Sequence, residues 1–252
     1  MIEQFLKKLR ARDEISLEEE DALRASVSGD TRVAADTLII RQGDTLSEST
    51  LLLEGITCRF KDLLSGERQI TELNVAGDFI DLHSFSLKRL DHGIMALTPC
   101  RIAPVPHSRI AQLIDAFPHL GRIFWFLTNL DAAIHREWVL SLGRRHAAAK
   151  LAAFLCEMHI RLGIVGLADD AGFALGITQE DVAECLGLTS VHVNRTLREL
   201  RERCLAQFRS GRVELLNLEG LRELAEFDPS YLYLDRMRGP GVGVEQLDGW
   251  PR

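Results

Sequence analysis

No run of about eighteen consecutive apolar residues occurs in the 252-residue chain, so no membrane-spanning helix is expected. The opening residues "MIEQFLKKLRARDE" are amphipathic and charged, without the apolar stretch and small-residue cleavage site of a secretory signal, and a cytoplasmic protein is expected. Cysteine is sparse. Cys58, Cys100, Cys156, Cys185 and Cys204 are odd in number and show no C-x-x-C spacing, which argues against a disulfide framework or a zinc knuckle and predicts buried free thiols. Also missing are a His-Glu-x-x-His metal helix, a Gly-x-Ser-x-Gly elbow and a phosphate-binding P-loop. No catalytic activity, metal or cofactor is therefore predicted. Positive charge is in deficit, with 30 Lys and Arg against 37 Asp and Glu for a net charge of −7. That balance disfavours indiscriminate coating of nucleic acid and leaves room for one basic face.

What is present is the mixture of a globular protein, 46% hydrophobic and 27% charged, at a length that suits two domains. Residues 1–30 read as two short helices. Ile2, Phe5, Leu6 and Leu9 recur at helical spacing, and Ser16 with Glu19 forms a capping-box pattern. From Thr31 the texture changes to short apolar runs, "DTLIIRQGDT", "STLLLEGITCRF", "RQITELNVAGDFI" and "ALTPCRIAPVP", punctuated by Gly, Asp, Ser and Pro. This is the spacing of an all-β barrel or sandwich, and Gly43, Gly55, Gly66 and Gly77, about eleven residues apart, predict turns at its corners.

After Pro118 one long helical pattern runs to about Leu142. Phe117, Leu120, Phe124, Leu127, Ile134 and Trp138 share one stripe, while Ile123, Phe126, Leu130, Ala133 and Leu140 share another. A single barrel covers one side, so a second copy about a two-fold axis is expected on the other, through Ile123, Phe124, Phe126, Leu127, Leu130, Ile134 and Trp138. Burial between two domains of one chain is the alternative. "GRRH" at 143–146 is a glycine-led break, and "AAAKLAAFLCEMHIRLG" opens a third region.

That third region carries the chemistry. Thr178 caps a helix with Asp181 three positions on, Gly187 ends it, and Thr189 or Ser190 caps another, which makes a helix-turn-helix. At about 100° per residue, Val193, Leu197, Leu200 and Cys204 form the inward wedge of the second helix. Val191, Arg195, Arg198 and Glu202 lie opposite, with Asn194 and Arg201 at the margin and Ser190 and His192 near the N-terminal end. Arg and Asn carry forked donors suited to base edges. Between Leu188 and Val213 the arginines are 195, 198, 201, 203, 209 and 212, against only Glu199 and Glu202, so this surface is basic although the molecule is acidic. "LAQFRSGRVELLN" follows as a hairpin about Ser210-Gly211, with Arg209 and Arg212 at a tip that suits phosphate contact. The candidate DNA contacts are Thr178, Gln179, Thr189, Ser190, Val191, His192, Asn194, Arg195, Arg198, Arg209 and Arg212.

The order of elements, with "LIIRQGD", "LLLEGI", "VAGDFI" and "ITQEDVAECLGLTSVHVNRTLRELRE", resembles the Crp/Fnr family of bacterial transcription regulators over roughly residues 10–220. The resemblance implies an α+β fold. It comprises an N-terminal β-roll of the cyclic-nucleotide-binding type with flanking helices (1–116), a dimerisation helix (117–142), a winged helix-turn-helix DNA-binding domain (143–227) and an irregular C-terminal tail (228–252). It further implies a homodimer that reads a palindromic operator in double-stranded DNA, with RNA polymerase as another partner and no membrane association. The alternative reading is a cyclic-nucleotide-regulated module whose C-terminal domain docks on protein.

The departures from that pattern shape the remaining expectations. The effector candidates are Gly77, Asp78, Phe79, Ile80, Asp81, Leu82, Arg89 and His92. Leu82 stands where the family's nucleotide binders place a ribose-binding glutamate, and the phosphate-holding pair falls at His92-Gly93, with Arg89 three residues early. Asp78, Asp81 and Asp91 add negative charge that opposes phosphate, so a cyclic nucleotide is not the expected effector. The N-terminal cysteine cluster of the family's oxygen sensors is absent, which argues against an iron–sulfur centre. His83, His92 and His107 lie in the domain where an axial haem ligand would sit, and haem or another small molecule stays open. Ser190, Val191 and Arg195 occupy the family's base-reading positions, where a well-known half-site is read by Arg, Glu and Arg. Arg195 is expected on a guanine and Val191 on a thymine methyl.

Overall fold

Two short helices open the chain, α1 (Glu3–Arg10) and α2 (Leu17–Ala25), in a computed structural model that describes residues 1–234. Ser16 and Glu19 satisfy each other's backbone N–H at the start of α2, as their spacing predicts. Seven strands follow: β1 (Thr31–Val33), β2 (Leu38–Ile40), β3 (Glu48–Glu54), β4 (Ile56–Asp62), β5 (Arg68–Val75), β6 (Gly93–Ala96) and β7 (Cys100–Pro106). They form two antiparallel sheets, ordered β1-β7-β3 and β2-β6-β4-β5. Gly43, Gly55, Gly66 and Gly77 all hold φ near +90° at the corners. At Gly77 the side is closed as well, since a Cβ would lie 2.7 Å from the Gln4 backbone, so only glycine lets α1 rest on this turn. Between β5 and β6 lies the short α3 (Ser84–Leu87).

Helix α4 (His107–Ala116) has no counterpart in the sequence reading. It is a ten-residue segment between two prolines with no side-chain cap, and only its packing of Ile110 and Leu113 under the roll makes it helical. Helix α5 (Pro118–Arg144) then runs past the expected break. Gly143 and Arg144 stay helical, and the chain turns at the extended Arg145.

The C-terminal region comprises α6 (Ala147–Ile164), β8 (Ala168–Asp169), β9 (Gly172–Ala174), α7 (Gln179–Leu186), α8 (Ser190–Glu202), β10 (Ala206–Arg209), β11 (Arg212–Leu215) and α9 (Leu218–Ala225). A 3-10 turn at Pro229–Leu232 closes it. Here the expected irregular tail is corrected. Leu232 is fully buried, its carbonyl accepts from Arg12 Nε at 3.2 Å, and the Tyr231 hydroxyl donates to Glu157 at 2.8 Å. Residues 235–252 of that tail lie outside the described residues.

The expected dimer stripe of α5 is also corrected. Ile123, Phe124, Leu130, Ile134 and Trp138 are buried in the chain's own core, while Phe126 and Leu127 are half-buried there. Phe124 meets Phe79 edge-on, and Trp138 packs on Phe154 while donating to the Glu157 carboxylate. The β-roll and α6 occupy the two sides that the sequence assigned to a roll and a partner. What α5 leaves only partly covered is a narrower seam, Gly121, Trp125, Thr128, Ala132, His135, Val139 and Leu142, spaced alternately four and three apart, with Trp125 and Val139 exposed and the rest half-buried. That spacing is a heptad repeat, and Trp125 at 72% exposure is its most open member.

A continuous apolar core runs from Cys58, Phe60 and Ile70 of the roll through Trp138 to Phe154, Cys185 and Val193. Buried charges thread the same joint. Arg161 of α6 binds Asp78 of the roll at 3.1 Å and Glu157 at 3.0 Å, and Asp78 also pairs with Lys8. Arg59 of β4 holds Glu72 at 2.6 Å and Asp131 of α5 at 2.9 Å. Arg59, Arg161, Asp78, Glu72 and Lys8 are thus each met by an opposite charge, which low-dielectric surroundings favour.

Candidate nucleic-acid interface and effector cavity

Helix α7 begins where Thr178 Oγ1 accepts the Asp181 N–H at 3.1 Å while the Asp181 carboxylate accepts the Thr178 N–H at 2.7 Å. It ends at Gly187, which is left-handed at φ 59°. Thr189 caps α8 through the His192 N–H. Val193, Leu197 and Leu200 face inward as predicted, joined by Thr196, whose hydroxyl donates to the His192 carbonyl at 2.8 Å and so tolerates burial. Cys204 is a correction to the inward wedge. The helix stops at Glu202, Cys204 turns to φ 55°, and its thiol is exposed while the other four are buried. A helical projection fails beyond the helix end.

The outward face carries Ser190, Val191, His192, Asn194, Arg195 and Arg198, with Val191 at 78% exposure. Arg195 has no carboxylate partner among the described residues, so its forked donors stay free. Arg198 is partly engaged along the helix by Glu202 at 2.9 Å, and Arg203 by Glu199 at 3.5 Å. Asn194 Nδ2 donates to Gln179 Oε1 at 3.1 Å and braces α8 against α7. In the hairpin, Ser210 and Gly211 both hold positive φ, 50° and 73°, as a two-residue turn requires. Arg209 and Arg212 stand opposite each other at its base. The hairpin is half of a four-stranded sheet ordered β10-β11-β9-β8, and Arg212 lies 3.8 Å from Asp169 of β8. The short "AGFAL" run was the only sequence sign of those two extra strands.

The effector candidates scatter. Gly77 packs under α1, Phe79, Ile80 and Leu82 are core, and Asp78 is neutralised by Lys8 and Arg161. Asp81 is fully buried, accepts the Thr50 N–H, and is raised to about 7 by burial, so near neutral pH it is only partly charged. Arg89 lies exposed beside Gly43 and does not turn inward. Only His92 lines the cavity of about 470 Å³ that opens between the roll and α5. It does so with His83, Arg59 and the seam residues Thr128, Ala132 and His135. His83 and His92 lie 5.2 Å apart, centroid to centroid, each with a buried Nε2 that has no hydrogen-bond partner. Burial pushes His83 down to about 3, so its imidazole is neutral at physiological pH, and burial also lowers His92 against the pull of Asp91. His107 points elsewhere, enclosed by Ser49 and Ser84. Arg59 was missed, although a charged residue in the middle of the apolar run "GITCRF" was a visible signal.

A β-roll joined by a long helix to a winged helix-turn-helix with a basic, outward-facing second helix has the architecture of a DNA-binding protein. Two family models match, the cyclic nucleotide-binding domain over residues 30–117 and the Crp-like helix-turn-helix domain over residues 149–224. The nitrogen fixation regulation protein FixK of Bradyrhizobium diazoefficiens is 32% identical over 179 residues, 69% of this chain and 72% of that protein. The fumarate and nitrate reduction regulatory protein of Vibrio cholerae is 24% identical over 74% of each chain. Among solved structures, FixK2 from Bradyrhizobium japonicum superposes with a TM-score of 0.72 at 24% identity, covering 79% of this chain and 96% of that one. The chain belongs to the Crp/Fnr family of bacterial transcription regulators. It is a DNA-binding regulator of transcription, and no helix among the described residues is long and apolar enough to cross a membrane.

Proposed function

We propose that two copies pair along the α5 seam and set their α8 helices into successive major grooves of a palindromic operator, about one helical turn apart. The observation that carries this reading is the outward Arg195 with its donors unspent, on a helix capped at Thr189 and anchored by Val193, Leu197 and Leu200. Arg195 reads guanine O6 and N7, Val191 packs on a thymine methyl, and Ser190, His192 and Asn194 complete the contact near the helix start. Arg209 and Arg212, with Thr178, Gln179, Thr189 and Arg198, bind phosphates and set the register.

The cavity against α5 is the effector site, and it suits an uncharged molecule better than a cyclic nucleotide. Arg59 is consumed by Glu72, Asp131 and backbone carbonyls, and Lys61 is paired with Asp91. Among the described residues no unpaired lysine or arginine lines the cavity to meet a phosphate. Seam residues line the same cavity, so an occupant shifts the pairing of the two α5 helices and, through them, the spacing of the two α8 helices. RNA polymerase is the further partner and the cytoplasm the location. Selection from a random DNA pool with the full-length protein tests the core of the proposal. Enrichment of inverted repeats with centres one turn apart is expected, and recovery of no consensus, or of a single half-site, overturns it.

A further inference from the structure

On the opposite side of α5 from the seam lies a second cavity, of about 530 Å³, within the size range of small-molecule sites. Its walls are Leu9 of α1, Ile123 and Phe126 of α5, and Tyr233 beyond the C-terminal turn. Arg12 and Arg122 also line it.

Arg12 is the unusual member. It is only 6% exposed, yet no carboxylate lies within ion-pair distance of it among the described residues. Its Nε donates to the Leu232 carbonyl and its Nη1 to the Lys8 carbonyl, both at 3.2 Å. Burial, reinforced by repulsion from Arg161, lowers the guanidinium to about 10. Every other deeply buried arginine in this joint is matched: Arg59 by Glu72 and Asp131, Arg161 by Asp78 and Glu157. A desolvated charge without a counter-ion is costly unless something else supplies one. Arg122, exposed and with no carboxylate in ion-pair distance among the described residues, adds a second cation. The acid in the wall, Asp13, lies 3.5 Å from His119 Nε2, and His119 is bound on its other nitrogen by Glu19 at 2.8 Å.

We infer that this cavity binds an organic monocarboxylate with an apolar body, its carboxylate on Arg12 and Arg122 and its chain against Leu9, Ile123, Phe126 and Tyr233. The site is separate from the effector cavity and needs no DNA-binding residue. It touches the same joint: Arg12 holds the C-terminal turn at Leu232, and Tyr231 of that turn donates to Glu157 of α6.

Titration calorimetry on the full-length protein with octanoate, octanol and inorganic phosphate tests it. Octanoate is expected to bind saturably at one per chain, with octanol and phosphate at least about tenfold weaker, since the charge-assisted bond and the apolar burial are both needed. Arg12→Gln is expected to weaken octanoate about tenfold or more and Arg122→Ala about threefold, with His92→Ala, in the other cavity, unchanged. Equal binding of octanoate and octanol, absence of saturable octanoate binding, or full retention in both arginine variants overturns the assignment. The comparison of the three compounds on the unaltered protein is decisive even if Arg12→Gln fails to fold.

Discussion

Side chains with the same charge have different tasks here because their partners differ. Arg195, exposed and unpaired, is proposed to read a base, and Arg209 at the hairpin to hold a phosphate. Arg195→Ala is expected to cost about 1–3 kcal/mol on the selected operator and to narrow its advantage over scrambled DNA. Arg209→Ala should weaken both duplexes alike and flatten the salt dependence by about one phosphate contact. Fluorescence anisotropy across a salt series distinguishes the two roles, and equal losses on both duplexes for Arg195→Ala would contradict base reading. Asp81 makes a second residue-scale case. Burial raises its carboxyl to about 7, against the Thr50 N–H and Arg59. An unfolded aspartate titrates near about 4, so between these values the native state holds the extra proton. The stability from this group is complete below about pH 4 and is lost as pH rises through about 7. Asp81→Asn should therefore flatten the decline in urea-unfolding free energy over that window relative to wild type, and an unchanged slope would place its native titration lower.

Elements take their roles from what covers them. Helix α5 is apolar on three sides, and two of those are filled by its own chain. The partly covered heptad seam predicts that Val139→Glu, at 70% exposure in the single chain, leaves the monomer folded but shifts sedimentation equilibrium from dimer to monomer. A dimer that survives this change would move the interface elsewhere. The C-terminal turn is short, yet Leu232 is fully enclosed. Leu232→Ala should cost about 2–5 kcal/mol in thermal or urea unfolding, far more than a loosely docked tail would allow.

At the scale of the molecule, the apolar core passes without interruption from the roll to the helix-turn-helix, and Gln69 of β5 donates to the Glu184 carbonyl of α7 at 2.6 Å. Two independently melting domains would need an interface poor in such contacts. Calorimetry is therefore expected to show one transition, with equal calorimetric and van't Hoff enthalpies per cooperative unit. Two resolved peaks would mean that the joint is weaker than its packing indicates.

Local chemistry was legible in the sequence because it is written at fixed short spacings. Ser16 with Glu19, Thr178 with Asp181, Gly187, and the Ser210-Gly211 turn each act within a few residues, and the four corner glycines needed only their spacing to be recognised. The polar split of α8 was legible for the same reason, up to the residue where the helix ends. Long-range partnership was decided only in three dimensions. A helical wheel shows that Phe124 and Trp138 must be covered, but not that the cover is Phe79 and Phe154 of the same chain. Nor does spacing reveal that Asp78 meets Lys8 and Arg161, or that Arg12 meets no acid among the described residues. Asp78 and Arg161 are 83 positions apart and Arg12 and Leu232 are 220 apart, and such neighbours exist only once the core has closed.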